Sequence, residues 1–144
     1  MLGHRKVDPL FRGDASDEVS IPSPAADPSL VRHILYLGGY GRESPYLSTS
    51  AEHVLAARFA GAGRVWKTSG EKAEALGARH INQTELDSIL RTSTAGRARW
   101  PNARQRLQAR AFIERHAEHL IDFTTFRTKP GTVASAVRTM FEKA

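Results

Sequence analysis

Tyr46-Leu47-Ser48-Thr49-Ser50-Ala51-Glu52-His53-Val54-Leu55-Ala56-Ala57-Arg58-Phe59-Ala60 is the stretch on which the reading of the fold turns. Its first five residues predict a short strand. The remainder, with Ala51, Leu55 and Phe59 at helical spacing, predicts a helix over 51–60. Thr49 followed three residues later by Glu52 fits a capping box at the junction. Gly61-Ala62-Gly63 then ends the helix, and Arg64-Val65-Trp66-Lys67-Thr68 is strand-like again.

Upstream, Val7 to Asp14 reads as a strand entering a Gly turn, and 17–26 reads as a loop. A helix is expected from Asp27-Pro28, where Asp caps and Pro takes the first helical position, to Gly38-Gly39. Gly41 to Pro45 is expected to turn the chain. Downstream, 69–79 reads as connection or short helix, and 80–90 is ambiguous with a slight helical leaning. Residues 92–102 read as loop, 103–116 as an Arg-rich helix, 118–126 as a strand, 129–131 as a turn and 132–143 as a terminal helix. Short strands separated by helices, with no repeat and no regular βαβ alternation, indicate an α+β fold in one domain over 1–144.

Composition narrows the function classes. The chain has 144 residues with ordinary globular proportions, 40% hydrophobic and 25% charged. No apolar run of bilayer-spanning length is present, so no membrane partner is expected. With no Cys, disulfides, thiolate catalysis and sulfur-ligated metals are excluded. The six His residues show no metal-ligand spacing along the chain, and no metal is implied. The net charge of +6 is localised: residues 1–95 hold eleven bases and eleven acids, whereas 96–144 hold ten bases and four acids. An Arg-dominated excess suits a phosphate-bearing partner, and a solvated helix face is the plainer alternative.

Three polar positions interrupt otherwise apolar elements. Arg12 lies on a strand beside a Gly turn, with pairing to Asp14 as its structural reading. Ser48-Thr49-Ser50 places three hydroxyls where a strand becomes a helix, a place where Ser and Thr also serve as caps. Glu118 stands where the Arg-rich helix gives way to an apolar strand.

Together, and in this order, these pieces resemble the cholera- and pertussis-like mono-ADP-ribosyltransferase toxins. The resemblance rests on Leu10-Phe11-Arg12-Gly13-Asp14, on Ser48-Thr49-Ser50, and on Glu118 opening a strand. His33 within Leu30-Val31-Arg32-His33-Ile34-Leu35, and the closing Pro130-Gly131 and Val133, extend it over roughly residues 9–138. It implies an ADP-ribosyltransferase-like split β-sandwich with flanking helices, and NAD as substrate with no metal. In that chemistry the nicotinamide–ribose bond breaks toward an oxocarbenium-like state, which a nearby carboxylate stabilises.

The implied roles follow residue by residue. Glu118 is the catalytic carboxylate, and Arg12 binds the dinucleotide phosphates. Ser48 hydrogen-bonds Glu118 or the ribose, while Thr49 and Ser50 support the nicotinamide–ribose end. His33 contacts the adenosine side or acts as an acceptor-side base. Phe59, Tyr46 and Trp66 are candidates for stacking on nicotinamide, with core packing as the alternative for each. Gln83-Thr84-Glu85 is a competing match to the catalytic signature, ranked below Glu118. Many members carry Glu or Gln two residues before the catalytic Glu. Here that position is His116, which argues against an arginine acceptor.

The resemblance also implies a setting: a toxin domain of a larger secreted bacterial protein, acting in the cytoplasm of a target bacterial cell and silenced in the producer by an acidic immunity protein over the NAD cleft. The basic segment, with Arg104, Arg106, Arg110 and His116 as acceptor-binding candidates, favours structured RNA as acceptor. A protein acceptor such as a translation factor is one alternative. A non-catalytic RNA-binding module on the same fold is the other.

Overall fold

The computed structural model describes residues 3–39 and 43–144. Strand β2 (Tyr46–Ser50) lies inside a six-stranded sheet with the order β4-β5-β2-β1-β3-β6. The other strands are β1 (Pro9–Asp14), β3 (Arg64–Ser69), β4 (Arg79–Ile81), β5 (Glu118–Asp122) and β6 (Glu142–Lys143). Every pairing is antiparallel. The helices are α1 (Leu30–Ile34), α2 (His53–Ala60), α3 (Gly70–Ala75), α4 (Gln83–Thr92), α5 (Ala103–Arg115) and α6 (Val133–Met140). This is the α+β arrangement that the sequence predicts.

The sheet is unevenly stitched. β1 pairs with β3 over six residues, and β2 pairs with β5 over five. Between β1 and β2 there is one partner pair, Phe11 with Ser50. A seam therefore runs between the β4-β5-β2 half and the β1-β3-β6 half.

Strand alternation sends side chains to two cores. Tyr46 and Leu120 join Leu30, Ile34, Leu86, Leu90, Ala109 and Ile113 under α1, α4 and α5. Leu47 and Ile121 join Leu10, Ala73, Val133, Val137 and Met140 under α3 and α6. Gly13 belongs to the same construction, because a Cβ there would lie 1.9 Å from the Ala56 carbonyl oxygen. A side chain at that position would push α2 off β1.

Several boundaries differ from the sequence expectation for local reasons. Helix α1 is capped by Ser29, whose side chain accepts from Arg32 N–H, while Asp27 turns back on Ser29 N–H and pairs with Arg32. It ends at Ile34 because Tyr36 adopts φ +55° well before Gly38. Part of the turn expected over Gly41 to Pro45 lies outside the described residues. The capping box does not form: Thr49 stays in the strand and donates to the His119 carbonyl. Helix α2 begins at His53, and its buried side chains are Ala56 and Ala60 rather than Leu55 and Phe59.

The ambiguous 80–90 stretch divides into β4 and α4, which Asn82 caps through Glu85 N–H. Strand β5 stops at Asp122, whose carboxylate takes Thr124 N–H and starts a 3-10 turn. The terminal helix stops at Met140, and Glu142–Lys143 pairs with β3.

Candidate active site

The seam in the sheet opens into a cavity of about 630 Å³, lined by residues that include Arg12, His33, Ser48, Phe59, His116 and Glu118. The size is in the range of small-molecule sites. Glu118 is the first residue of β5, opposite Ser50 in the register, and is 4% exposed. Alternation points it toward the same face as Ser48 and Ser50. Ala117, immediately before it, sits at φ +46°, a left-handed conformation uncommon outside Gly, and the Ala117 carbonyl accepts from Ala51 N–H at 3.1 Å. The tight turn leaving α5 is what delivers the carboxyl group to the cavity floor.

A hydrogen-bonded chain converges on this carboxyl. Ser48 Oγ donates to Glu118 Oε2 at 3.2 Å. His33 Nε2 lies 2.8 Å from Ser48 Oγ, and His33 Nδ1 lies 2.7 Å from Ser44 Oγ. In the arrangement in which Ser48 Oγ donates to Glu118, His33 Nε2–H donates to Ser48. Nδ1 then accepts from the Ser44 hydroxyl. Ser44 Oγ in turn accepts from Tyr46 N–H. Sequence reasoning missed Ser44, and no motif marks it.

Arg12 crosses the seam. Its Nε donates to Asp14 Oδ2 at 2.8 Å and its Nη1 to the Ser48 carbonyl at 3.0 Å. Asp14 is itself fixed by Ser20, whose hydroxyl and N–H both reach the carboxylate. Arg12 thus makes the structural pairing expected of it and still lines the cavity. Burial pushes the Glu118 carboxyl up to about 8, against the opposing effects of the Ser48 hydrogen bond and the Arg12 charge. In the free protein at neutral pH this group holds its proton.

The other residues expected at the site divide. The Thr49 and Ser50 hydroxyls donate to the carbonyls of His119 and His116, so they tie β2 to β5 and to the end of α5 rather than offering donors to a ligand. Phe59 is 41% exposed at the cavity mouth, its ring 5.2 Å from His116, whereas Tyr46 is buried and Trp66 packs against the core. His116 itself packs at a tilt against Phe112, with ring centroids 4.0 Å apart, and lines the cavity. Glu85 lies on α4 outside the cavity lining and pairs with Arg79 at 2.6 Å.

Three arginines of the basic segment are engaged by the fold. Arg106 reaches the backbone carbonyls of Leu90, Ser93 and Ala98, Arg110 pairs with Asp87 at 3.0 Å, and Arg97 pairs with buried Asp122 at 2.9 Å. Arg106 and Arg110 are therefore ties between α5, α4 and the intervening loop, and neither lines the cavity. Arg99, Arg104 and Arg115 are exposed. Among the described residues, no helix is long and apolar enough to cross a membrane.

No model of a known protein family matches the chain, and no curated protein or solved structure is detectably similar to it.

Proposed function

We propose that the chain is a mono-ADP-ribosyltransferase that cleaves NAD and transfers ADP-ribose to a bacterial macromolecule. One observation carries the reading. Arg12, Ser48 and Glu118, taken from three separate parts of the sequence, meet in one cavity with His33 behind them. The residues suit a dinucleotide: a cation at one wall, a carboxyl group on the floor, a hydroxyl between them and an aromatic ring at the mouth. The strands form one six-stranded sheet, and the single-pair seam beside this cavity is the feature that supports reading it as the split sheet of an ADP-ribosyltransferase.

NAD brings a labile bond between ribose and nicotinamide, a leaving group that departs neutral. Glu118, as carboxylate, stabilises the positive charge that grows on the ribose carbon. Ser48 fixes the Glu118 oxygen and His33 fixes Ser48, so both ring nitrogens of His33 are occupied within the protein. That makes His33 a positioning residue rather than a free base for the acceptor. Arg12 holds phosphate with the guanidinium edge left over from Asp14 and Ser48. Phe59 closes the nicotinamide end.

Structured RNA remains the favoured acceptor, now resting on Arg99, Arg104 and Arg115, and a larger secreted toxin with an acidic immunity protein remains the expected setting. The test is incubation with labelled NAD and total bacterial lysate. Label in material destroyed by ribonuclease supports an RNA acceptor. Label removed only by protease moves the acceptor to protein. Absence of both nicotinamide release and label overturns the enzymatic reading and leaves the RNA-binding module.

A further inference from the structure

On the face of β5 opposite Glu118, three histidines that are far apart in sequence come together. His119 is on β5, His80 on β4, and His4 precedes β1. One nitrogen from each lies within 4.8 Å of the others. His80 and His119 are 2% and 1% exposed. Their rings stack at 5.1 Å, with Nε2 of His80 2.8 Å from Nδ1 of His119. The His4 ring leans on His119 at 4.4 Å.

Two details give this cluster the form of a ligand set. His4 Nε2 lies 3.3 Å from the Pro9 carbonyl oxygen, which fixes the proton on Nε2 and leaves the lone pair on Nδ1. That Nδ1 is buried and has no hydrogen-bond partner. An imidazole that donates one N–H to a backbone carbonyl and aims its other nitrogen at a shared point is the arrangement in which metals are held. In addition, Gly70 keeps the room: a Cβ there would sit 2.1 Å from His80 Nδ1.

We infer that His4, His80 and His119 form a binding site for a borderline transition-metal ion, Zn²⁺ or its neighbours, that clasps the N-terminal segment to β4 and β5. Three neutral imidazoles suit Zn²⁺, Co²⁺, Ni²⁺ or Cu²⁺, and with no oxygen ligand among them they do not suit Mg²⁺ or Ca²⁺. A tetrahedral zinc site holds its nitrogens about 3.3 Å apart, so His4 closes inward while the His80–His119 contact opens slightly. Burial holds His80 at about 4 and His119 at about 3, so both are neutral and ready to ligate without first losing a charge.

One proton lies between His80 and His119, and a cation takes its place. That proton passes to a remote ring nitrogen or to solvent. Lys6 opposes the cation, since its Nζ sits 3.1 Å from His80 Nδ1, although Glu74 at 3.2 Å offers it another partner. The cation would connect the segment leading into β1 with the β4-β5-β2 half, behind the seam.

The experiment uses the full untagged chain, stripped with chelator, desalted and titrated with Zn²⁺ alone near neutral pH by calorimetry and by competition with a chromogenic indicator. One equivalent binds, and the melting temperature rises with Zn²⁺ concentration. In His4→Ala the affinity falls by about 30-fold or more while the melting temperature in chelator stays near that of the parent. Lys6→Met binds Zn²⁺ more tightly than the parent, a gain that mere ring stacking would not produce. Failure to bind one equivalent of Zn²⁺, Co²⁺, Ni²⁺ or Cu²⁺ overturns the site, and so does His4→Ala binding Zn²⁺ as well as the parent. NAD cleavage enters none of these readouts, so the outcome is independent of the proposed activity.

Discussion

Glu118 is a carboxyl group that burial favours in its protonated form, whereas the proposed NAD cleavage requires it ionised. Its environment has few other means of stabilising the charge: Ser48 donates one hydrogen bond, and Arg12 lies nearby but is shared with Asp14. For NAD cleavage the consequence is a pH dependence. In the parent, kcat/KM for nicotinamide release is expected to rise with pH and to level above about 8, the value for the free protein. Glu118→Gln should lose about 10²–10³-fold or more in the same assay and show no such rise. An unshifted profile, or a Gln variant as active as the parent, would remove Glu118 from the chemistry. At this scale the sequence was informative about residue type and less so about role. Arg12, Ser48 and Glu118 could be named because polar groups stood on apolar elements. The duties of Thr49, Ser50 and Arg106 could not, since a hydroxyl or guanidinium that binds a backbone carbonyl looks the same in sequence as one that binds a ligand.

At the scale of elements, Gly13 decides how closely α2 lies on β1. Its absent side chain allows the Ala56 carbonyl to approach within a distance no Cβ tolerates. Gly13→Ala therefore has no small adjustment open to it, because the obstructing atoms are backbone. We expect a loss of more than about 4 kcal/mol in urea unfolding, or no soluble folded protein. A loss below about 1 kcal/mol would mean that α2 can shift freely.

Element existence was largely readable, since strands β1, β2, β3 and β5 carry apolar residues between turn signals, although the stripe read for α2 was not the face it buries. β4 and β6 were not readable. A strand of three residues and one of two have no period to read, and both exist because a longer neighbour offers an edge. The helix expected from Asp27 was shortened because Ser29 caps it instead.

For the molecule as a whole, buried titrating groups set opposing slopes. Glu118 has a raised value in the fold, so its contribution is fully present below 4.5, declines as pH rises and is lost through about 8. His80 and His119 are depressed in the fold, so their contribution is present above 6.5 and is lost as pH falls through about 4 and 3. With chelator present, the melting temperature is therefore expected to peak near pH 6.5. On the alkaline side the decline is at most about 1.4 kcal/mol per pH unit, and Glu118→Gln should flatten it. A monotonic profile in the parent would contradict this balance. The net charge of +6 enters differently at this scale. Of the ten bases in 96–144, Arg97, Arg106 and Arg110 are tied to carbonyls and carboxylates, so the surface available to a polyanion is somewhat narrower than composition alone suggests.

The seam between β1 and β2 is held closed chiefly by apolar packing. With one ladder pair between the two strands, their separation is governed by Leu10 and Leu47 packing in one core and by the Arg12 guanidinium reaching the Ser48 carbonyl on the cavity side. A bound molecule that draws Arg12 away trades that tie for its own and leaves the apolar packing as the main contact across the seam. The width of the cavity is thus coupled to the size of Leu10, a side chain outside its lining.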